Sequence, residues 1–159
     1  MQEVISECAR YNIPCIGLMA GDTIEIDGCR LEIFNPVDYE YLSLNDTSMV
    51  IKLTCLDKSL LLCGDCEGAA ERDILARGCD VGADVLKVPH HGALNAAEPE
   101  FFEAIGADIA IITCGPDDYN HPAEKTLERL TGYDVYRSDR HGAVVIKLTG
   151  KGYRIDTEK

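Results

Sequence analysis

Two adjacent histidines, His90 and His91, are the residues whose type and setting most directly suggest chemistry. They follow an apolar run that ends at Val88, and they precede Gly92, which can adopt backbone angles that other residues avoid. Because neighbouring side chains point in different directions, one imidazole is a candidate metal ligand and the other a general acid or a substrate contact. The alternative is a pair of loop histidines that only hydrogen-bond to the backbone.

Asp65 is the second candidate, because it directly follows the apolar residues 60–63 and Gly64. A carboxylate at the end of a buried strand costs free energy unless it has a partner. Asp65 is therefore predicted either to bind a metal or to cap a helix that begins near Glu67. Cys63 and Cys66 have the C-x-x-C spacing of redox pairs and half zinc sites, but no second such motif follows, and Cys63 fits the apolar strand better.

Further polar groups stand at the ends of predicted elements. His121 directly precedes a proline where a helix begins, and Arg137 and Asp139 follow an apolar strand. Taken alone, His121 is a packed residue at a helix start, and Arg137 with Asp139 is a surface ion pair that contributes little free energy. His141 is most simply a solvated loop residue.

These residues belong to a chain in which strands and helices alternate. Hydrophobic periodicity and turn signals predict helices near residues 2–11, 67–77, 98–105 and 122–130, and strands near 15–19, 23–26, 29–34, 49–56, 59–63, 84–88, 108–113, 133–136 and 143–148, with a short polar tail. Polar residues at 64–65, 89–92 and 117–121 each follow one of these strands. Loops at the ends of adjacent strands carry the chemistry of α/β sheets, so we expect these groups to converge on one rim.

Composition excludes several classes of protein. The 159 residues contain 15 Lys and Arg against 28 Asp and Glu, a net charge of −13, which argues against a basic DNA-binding groove. Any positive charge at a nucleic-acid site would have to be local or come from metal ions. No apolar stretch is long enough to insert in a membrane, so we expect the chain as given to be soluble. The cysteines, including Cys55, Cys63 and Cys114 in apolar runs, are expected to be free thiols.

Taken together, the motifs resemble the second half of a metallo-β-lactamase-fold domain of the kind found in ComEC-type DNA-internalisation competence proteins. The resemblance extends over nearly the whole chain. It rests on Gly21-Asp22-Thr23-Ile24 with Phe34-Asn35-Pro36, Asn45-Asp46-Thr47-Ser48-Met49-Val50, Leu61-Leu62-Cys63-Gly64-Asp65 with Glu71, Asp84-Val85-Leu86-Lys87-Val88-Pro89-His90-His91-Gly92, Asn120-His121-Pro122, and Tyr136-Arg137-Ser138-Asp139.

The resemblance implies an α/β (α+β) fold, specifically an αββα metallo-β-lactamase-like sandwich without its N-terminal portion, so that residues 1–159 form a single partial domain. It implies that Asp65 is shared between two metal ions, zinc or manganese, and that His91 binds one of them. His90 would act beside the metals as a proton donor or substrate contact, although the two histidines could exchange these roles. Residues implied to line the rim are Asn45, Asp46, Ser48, His121, Arg137 and Asp139.

The implied activity is metal-assisted hydrolysis of a phosphodiester, with DNA as the substrate and one strand degraded as the other enters the cell. The implied partners are single-stranded DNA and the membrane channel segment of a bacterial parent protein, whose bilayer this domain would not enter. The family's first metal motif, H-x-[HD]-x-D-H, is absent, so we expect an inactive fragment that self-associates through an open sheet face. Ala93, Ala96 and Ala97 also replace serines that are typical of the family.

Two other functions remain open on the sequence alone. The chain could belong to a related hydrolase that acts on another phosphoester or a small substrate. It could also be a degenerate module that keeps the fold for binding or assembly without catalysis.

Overall fold

A computed structural model describes residues 2–38, 40–41, 43–115, 120–149 and 152–159. These residues form a mixed α/β structure. Its helices are α1 (Gln2–Arg10), α2 (Gly68–Ala76), α3 (Pro99–Ile105), α4 (Glu124–Arg129) and α5 (Ser138–His141), and its strands are β1 (Thr23–Ile26), β2 (Cys29–Asn35), β3 (Val50–Cys55), β4 (Lys58–Leu62), β5 (Val85–Lys87), β6 (Ile109–Ile112), β7 (Asp134–Arg137), β8 (Val144–Thr149) and β9 (Gly152–Thr157). Short 3₁₀ turns cover Asn45–Thr47 and Pro89–Gly92.

The main sheet has seven strands in the order β1 to β7, and β8 and β9 form a separate hairpin. Strands β1 to β4 are antiparallel to one another; short turns join β1 to β2 and β3 to β4, and residues 36–49 join β2 to β3. From β4 to β7 the strands are parallel, and helices connect them. The carboxyl ends of β4, β5, β6 and β7 therefore meet at one edge of the sheet, which we call the rim.

One face of the sheet is covered by helices. Leu61, Leu86 and Ile112 project from β4, β5 and β6 and are fully buried in one cluster with Ile74 of α2 and Phe101 of α3. Burying one such side chain contributes roughly 1.5–3 kcal/mol, so this layer holds the parallel strands and their rim in place.

The opposite face is covered in part by the β8–β9 hairpin. A cavity of about 120 Å³ separates Leu53, Leu60 and Val85 of the sheet from Ile146 and Leu148 of the hairpin. The described residues thus form a helix layer, a mixed sheet and a hairpin, which agrees with the α/β class. The expected two-sheet sandwich and self-association through this face stay predictions. Among the described residues, no helix is long and apolar enough to cross a bilayer.

Most predicted elements are confirmed, but two predicted segments are wrong and one helix was not predicted. The predicted strand at 15–19 has irregular backbone, and Ile16 is 82% exposed, because no neighbouring strand pairs with this segment. The predicted polar tail instead contains β9, which pairs with β8. The four-residue helix α5 was not predicted, since it is too short to show an apolar period.

The expectation of free thiols is wrong for Cys55. Cys29 of β2 and Cys55 of β3 are directly opposite in the strand register, with their Cα atoms 4.5 Å apart, and they form a disulfide. This separation lies within the range that a disulfide can span. Cys63 and Cys114 are free, as expected.

Candidate functional site

The loop after β5 holds both histidines in a backbone conformation that few side chains adopt. His90, His91 and Gly92 have φ angles of 43°, 54° and 79°, all in the left-handed region. A Cβ on Gly92 would lie 2.7 Å from the Cβ of Pro122, so only glycine fits there. The amide of His90 donates to the carbonyl of Gly64 at 3.0 Å and ties this loop to the one after β4. Such backbone strain persists where the surroundings hold it, and it is frequent at functional sites.

His91 and Asp65 face each other across the rim. The Nδ1 atom of His91 lies 2.5 Å from the carbonyl oxygen of Thr113, at the end of β6. A carbonyl can only accept, so Nδ1 must donate and carry the ring proton. The other ring nitrogen, Nε2, faces Oδ1 of Asp65 at 3.5 Å, and both side chains are 44% exposed. This is the arrangement of metal-binding histidines, which donate their second ring N–H to a carbonyl or carboxylate.

His90 is directed towards a different carboxylate, that of Glu67. The Nδ1 atom of His90 lies 3.1 Å from Oε1 of Glu67 without forming a hydrogen bond to it. The same Oε1 accepts a hydrogen bond from Nδ2 of Asn45 at 2.8 Å. Burial raises the pKa of Glu67, but hydrogen bonds from Asn45, Asn95 and Ser43 together lower it by a larger amount. The pKa of Glu67 is therefore below its usual value. Glu67 therefore remains ionised at neutral pH.

Asp46 has a structural position beneath the rim. It is 4% exposed, and its Oδ1 accepts the amides of Glu67 at 2.9 Å and Ala70 at 3.1 Å, at the start of α2. Asp46 is thus the residue that caps α2, the role considered for Asp65. Ser48 supports the site directly, because its Oγ accepts the amide of Asp65 at 3.2 Å.

His121 joins the histidine cluster from the loop before α4. Its ring centroid lies 5.6 Å from that of His90, and a cis peptide links it to Pro122. Of the polar residues at 117–121, positions 117–119 lie outside the described residues. Ala93, Ala96 and Ala97, at which the resemblance leads one to expect serines, are buried in the intervening loop. Their side chains are therefore packed inside the protein rather than exposed at the rim.

Arg137 and Asp139 form a fork-like ion pair after β7. Nε and Nη2 of Arg137 lie 3.0 and 2.7 Å from the two carboxylate oxygens, and the side chains are only 13% and 21% exposed. Hydrogen bonds from Arg137 lower the pKa of Asp139 to about 2. The pair is thus more enclosed than the surface pair expected from sequence. His141 is also fixed, since its Nδ1 accepts the amide of Arg137 at 2.9 Å.

An open cleft of about 330 Å³ lies beside His91 at the rim. It is lined by His91, Thr113, Cys114, Gly115 and Ser138. Ser138 links the loops after β6 and β7, because its Oγ donates to the Cys114 carbonyl at 2.6 Å.

The donors at the rim fit part of a metal site. A carboxylate and an imidazole nitrogen are suitable ligands for zinc or manganese, and Asp65 and His91 present one of each. Within the described ranges, no three or more His, Cys, Asp and Glu side chains are grouped so as to hold an ion. Cys63 and Cys66 do not serve instead, since both are fully buried, and the hydrogen bond between them, together with burial, raises the pKa of Cys66.

Two contacts of this site were not anticipated from sequence. The sequence indicates Glu67 only as the start of a helix, although its position two residues after Asp65 places it on the same loop. The contact from His91 to Thr113 is made by a backbone carbonyl. No side-chain pattern could have indicated it.

The fold and the rim define an α/β domain with a polar site at the carboxyl edge of parallel strands. No family model matches the chain. The chain is 31% identical over 146 residues to ComE operon protein 3 of Bacillus subtilis, which covers 90% of this chain and 19% of that protein. It is 27% identical over 130 residues to competence protein ComA of Neisseria gonorrhoeae, covering 79% of this chain and 19% of that protein.

A further relative is the uncharacterized protein YcaI of Escherichia coli, 26% identical over 151 residues, covering 92% of this chain and 20% of that protein. The chain spans about a fifth of the length of these curated relatives. The similarities support a relation to competence proteins and a context of DNA uptake.

Proposed function

We propose that this chain is part of a metal-dependent phosphodiesterase or nuclease domain of a DNA-uptake protein. The observation that carries the proposal is the geometry of His91. Its Nδ1 proton is directed to the Thr113 carbonyl, and its Nε2 lies 3.5 Å from Oδ1 of Asp65. That orientation has no evident structural purpose for an exposed histidine, but it is what a metal ligand requires.

In this proposal Asp65 and His91 hold a divalent ion, zinc or manganese. The ion, when bound, lowers the pKa of a bound water and neutralises charge on a phosphoryl oxygen. His90 is the proton donor or substrate contact, and His121 packs beside it. The ion also supplies local positive charge to a chain whose net charge is −13 and which otherwise repels DNA.

The fold assigned to the complete domain is the αββα metallo-β-lactamase-like sandwich. Support comes from the single helix layer and from the second sheet face, where a hairpin leaves part of an apolar surface exposed. Two ligands are fewer than the three or four that a zinc ion takes from protein. The other ligands would come from a part of the protein outside these residues. The proposed partners are single-stranded DNA and a membrane channel segment of that longer protein.

Metal binding by the chain tests this proposal. The purified protein is equilibrated with zinc or manganese, separated from free ions and analysed by plasma mass spectrometry, next to Asp65→Asn and Asp57→Asn. Asp57 is an exposed residue in the turn before β4, at the opposite end of that strand, so it receives the same chemical change away from the rim. We expect the wild-type and Asp57→Asn chains to retain the same amount of metal, below one ion per chain because two of the ligands are missing, and Asp65→Asn to bind metal at least about tenfold more weakly.

Equal metal content in all three proteins would contradict the proposed site. Metal binding without cleavage of single-stranded DNA, when the site is placed in its full-length protein, would favour the hydrolysis of another phosphoester. Absence of metal from the wild-type chain and the full-length protein would favour a binding module.

A further inference from the structure

The hydroxyl of Ser138 joins two loops of the rim, the one after β6 and the one after β7. Its Oγ accepts the amide of Cys114 at 2.7 Å and donates to the carbonyl of Cys114 at 2.6 Å. One hydroxyl therefore holds the peptide groups on both sides of the Cys114 side chain. Because its proton is used in the contact with the carbonyl, the hydroxyl cannot donate to a ligand while that contact persists.

The amide that Ser138 accepts belongs to the same peptide group as the carbonyl that holds His91. This peptide bond joins Thr113 to Cys114 and is trans, so its N–H and C=O lie in one plane and point in opposite directions. The N–H of Cys114 donates to Ser138, and the C=O of Thr113 accepts from Nδ1 of His91 at 2.5 Å. Ser138 therefore fixes the direction of the carbonyl that orients the imidazole.

The strand ladder does not extend to this peptide group. The last register pair between β6 and β7 is Ile112 with Arg137, so Thr113 and Ser138 are the first residues beyond it. Thr113 is exposed. Exposed backbone past the end of a ladder opens readily unless a further contact holds it. The hydroxyl of Ser138 supplies that contact.

The residues on either side of Ser138 hold the same loop. Arg137 and Asp139 form the enclosed ion pair described above, and Oδ1 of Asp139 accepts a hydrogen bond from the thiol of Cys114 at 3.2 Å. Burial, and then this hydrogen bond, raises the pKa of Cys114, so its side chain remains a thiol at neutral pH. Cys114 is thus held at its amide, its carbonyl and its side chain.

We propose that Ser138 is a positioning residue whose hydroxyl fixes the peptide group between Thr113 and Cys114, and thereby holds the His91 ring in the direction that metal binding requires. Without the hydroxyl this peptide group can rotate, and the imidazole loses its fixed direction before a metal binds. The consequence for metal binding rests on the proposed function, whereas the anchoring of the ring does not.

NMR spectroscopy of the metal-free protein tests the anchoring. The proteins compared are the wild type, Ser138→Ala, Ser138→Thr and Ser59→Ala. Threonine keeps the hydroxyl, so Ser138→Thr should restore what Ser138→Ala loses. Ser59 is the matched control, because its Oγ also accepts a backbone amide, that of Asp84 at 3.2 Å, but at the amino ends of β4 and β5.

Two signals report on the peptide group and on the ring. In Ser138→Ala we expect the amide of Cys114 to exchange with solvent about five- to tenfold faster, as for the loss of one hydrogen bond. The nuclear Overhauser contacts between the His91 ring and Thr113 should weaken at least about twofold. Ser138→Thr and Ser59→Ala should match the wild type in both signals. Unchanged Overhauser contacts in a folded Ser138→Ala protein would overturn the proposal.

Isothermal titration with zinc tests the consequence for the metal site. Ser138→Ala should bind zinc about five- to tenfold more weakly, while Ser138→Thr and Ser59→Ala should stay within about twofold of the wild type. Urea unfolding of the same proteins shows whether Ser59→Ala loses as much stability as Ser138→Ala, so that a general loss of stability is distinguished from a loss of positioning.

A zinc affinity that is unchanged in Ser138→Ala, or that falls equally in Ser59→Ala, would overturn the positioning role. If neither the wild-type chain nor its full-length protein binds zinc, the proposed function fails. The Overhauser contacts then still decide whether Ser138 anchors the His91 ring.

Discussion

Oδ1 of Asp65 and Nε2 of His91 lie 3.5 Å apart at the carboxyl ends of two neighbouring parallel strands. The register pairs Leu62 of β4 with Lys87 of β5, so the two strands end at the same level. The loops that follow are joined by the hydrogen bond from the His90 amide to the Gly64 carbonyl. This backbone link fixes the distance between the acid and the imidazole, and the following tests address its consequences.

Substitution of the two histidines should separate their roles. His91→Gln removes a proposed ligand and is expected to weaken zinc binding about tenfold or more, while His90→Gln should change it by less than about threefold. Isothermal titration of each variant with zinc provides the measurement. The reverse order of affinities would show that His90 is the ligand.

Protonation of Glu71 should make the stability of the fold depend on pH. Glu71 is fully buried, and burial raises its pKa to about 7, although the amides of Ala97 and Glu98 donate to it. The neutral Glu71 carboxyl stabilises the folded state fully below pH 4.5, the pKa of this group in the unfolded chain. This stabilisation is lost as pH rises through about 7, the pKa of Glu71 in the folded protein. The loss should reach about 3 kcal/mol in the free energy of unfolding.

Urea unfolding between pH 5 and 8 measures this effect. Glu71→Gln should be less stable at low pH, because it loses an acceptor, and should lack that part of the pH dependence. Glu103→Gln, which changes an exposed carboxylate of α3, serves as the control. An identical pH dependence in the wild type and Glu71→Gln would contradict the prediction.

The Cys29–Cys55 disulfide should stabilise the antiparallel half of the sheet. The two residues are separated by 26 positions, and closing a loop of this size contributes about 3–4 kcal/mol. Reductant should lower the free energy of unfolding of the wild type by this amount. The double variant Cys29→Ser, Cys55→Ser should have the lower stability without reductant and show no further loss when it is added. A similar response of both proteins would assign the effect to other cysteines.

Gly92→Ala should destabilise the histidine loop more than an ordinary glycine substitution. Gly92 has a φ of 79°, and its added Cβ would lie 2.7 Å from Pro122. We expect a loss of about 2–4 kcal/mol from strain and overlap together. Gly78→Ala is the matched control, since its φ is 69° with no atom within 4 Å of the new Cβ. It should cost about 1 kcal/mol in thermal or urea unfolding, and equal losses would exclude the contribution of Pro122.

Local sequence patterns were sufficient for most elements of the fold. The sequence correctly predicts the hairpin turn at Asp27 and Gly28 and the end of α2 before a glycine. Turns and helix ends are predictable because they depend on the conformational preferences of a few residues. The segment at 15–19 failed for the opposite reason. Its apolar residues suit a strand, but a strand forms only where another strand offers hydrogen-bond partners.

The sequence by itself determined which groups are available: Asp65 after a buried strand, two histidines before a glycine, and an acidic chain that needs local positive charge for any contact with DNA. Only the tertiary structure decided how these groups are paired. It directed His91 towards the Thr113 carbonyl and Asp65, directed His90 towards Glu67, and gave the cap of α2 to Asp46. Pairing depends on the level at which distant strands end and on backbone carbonyls, and neither is encoded in the type or spacing of side chains.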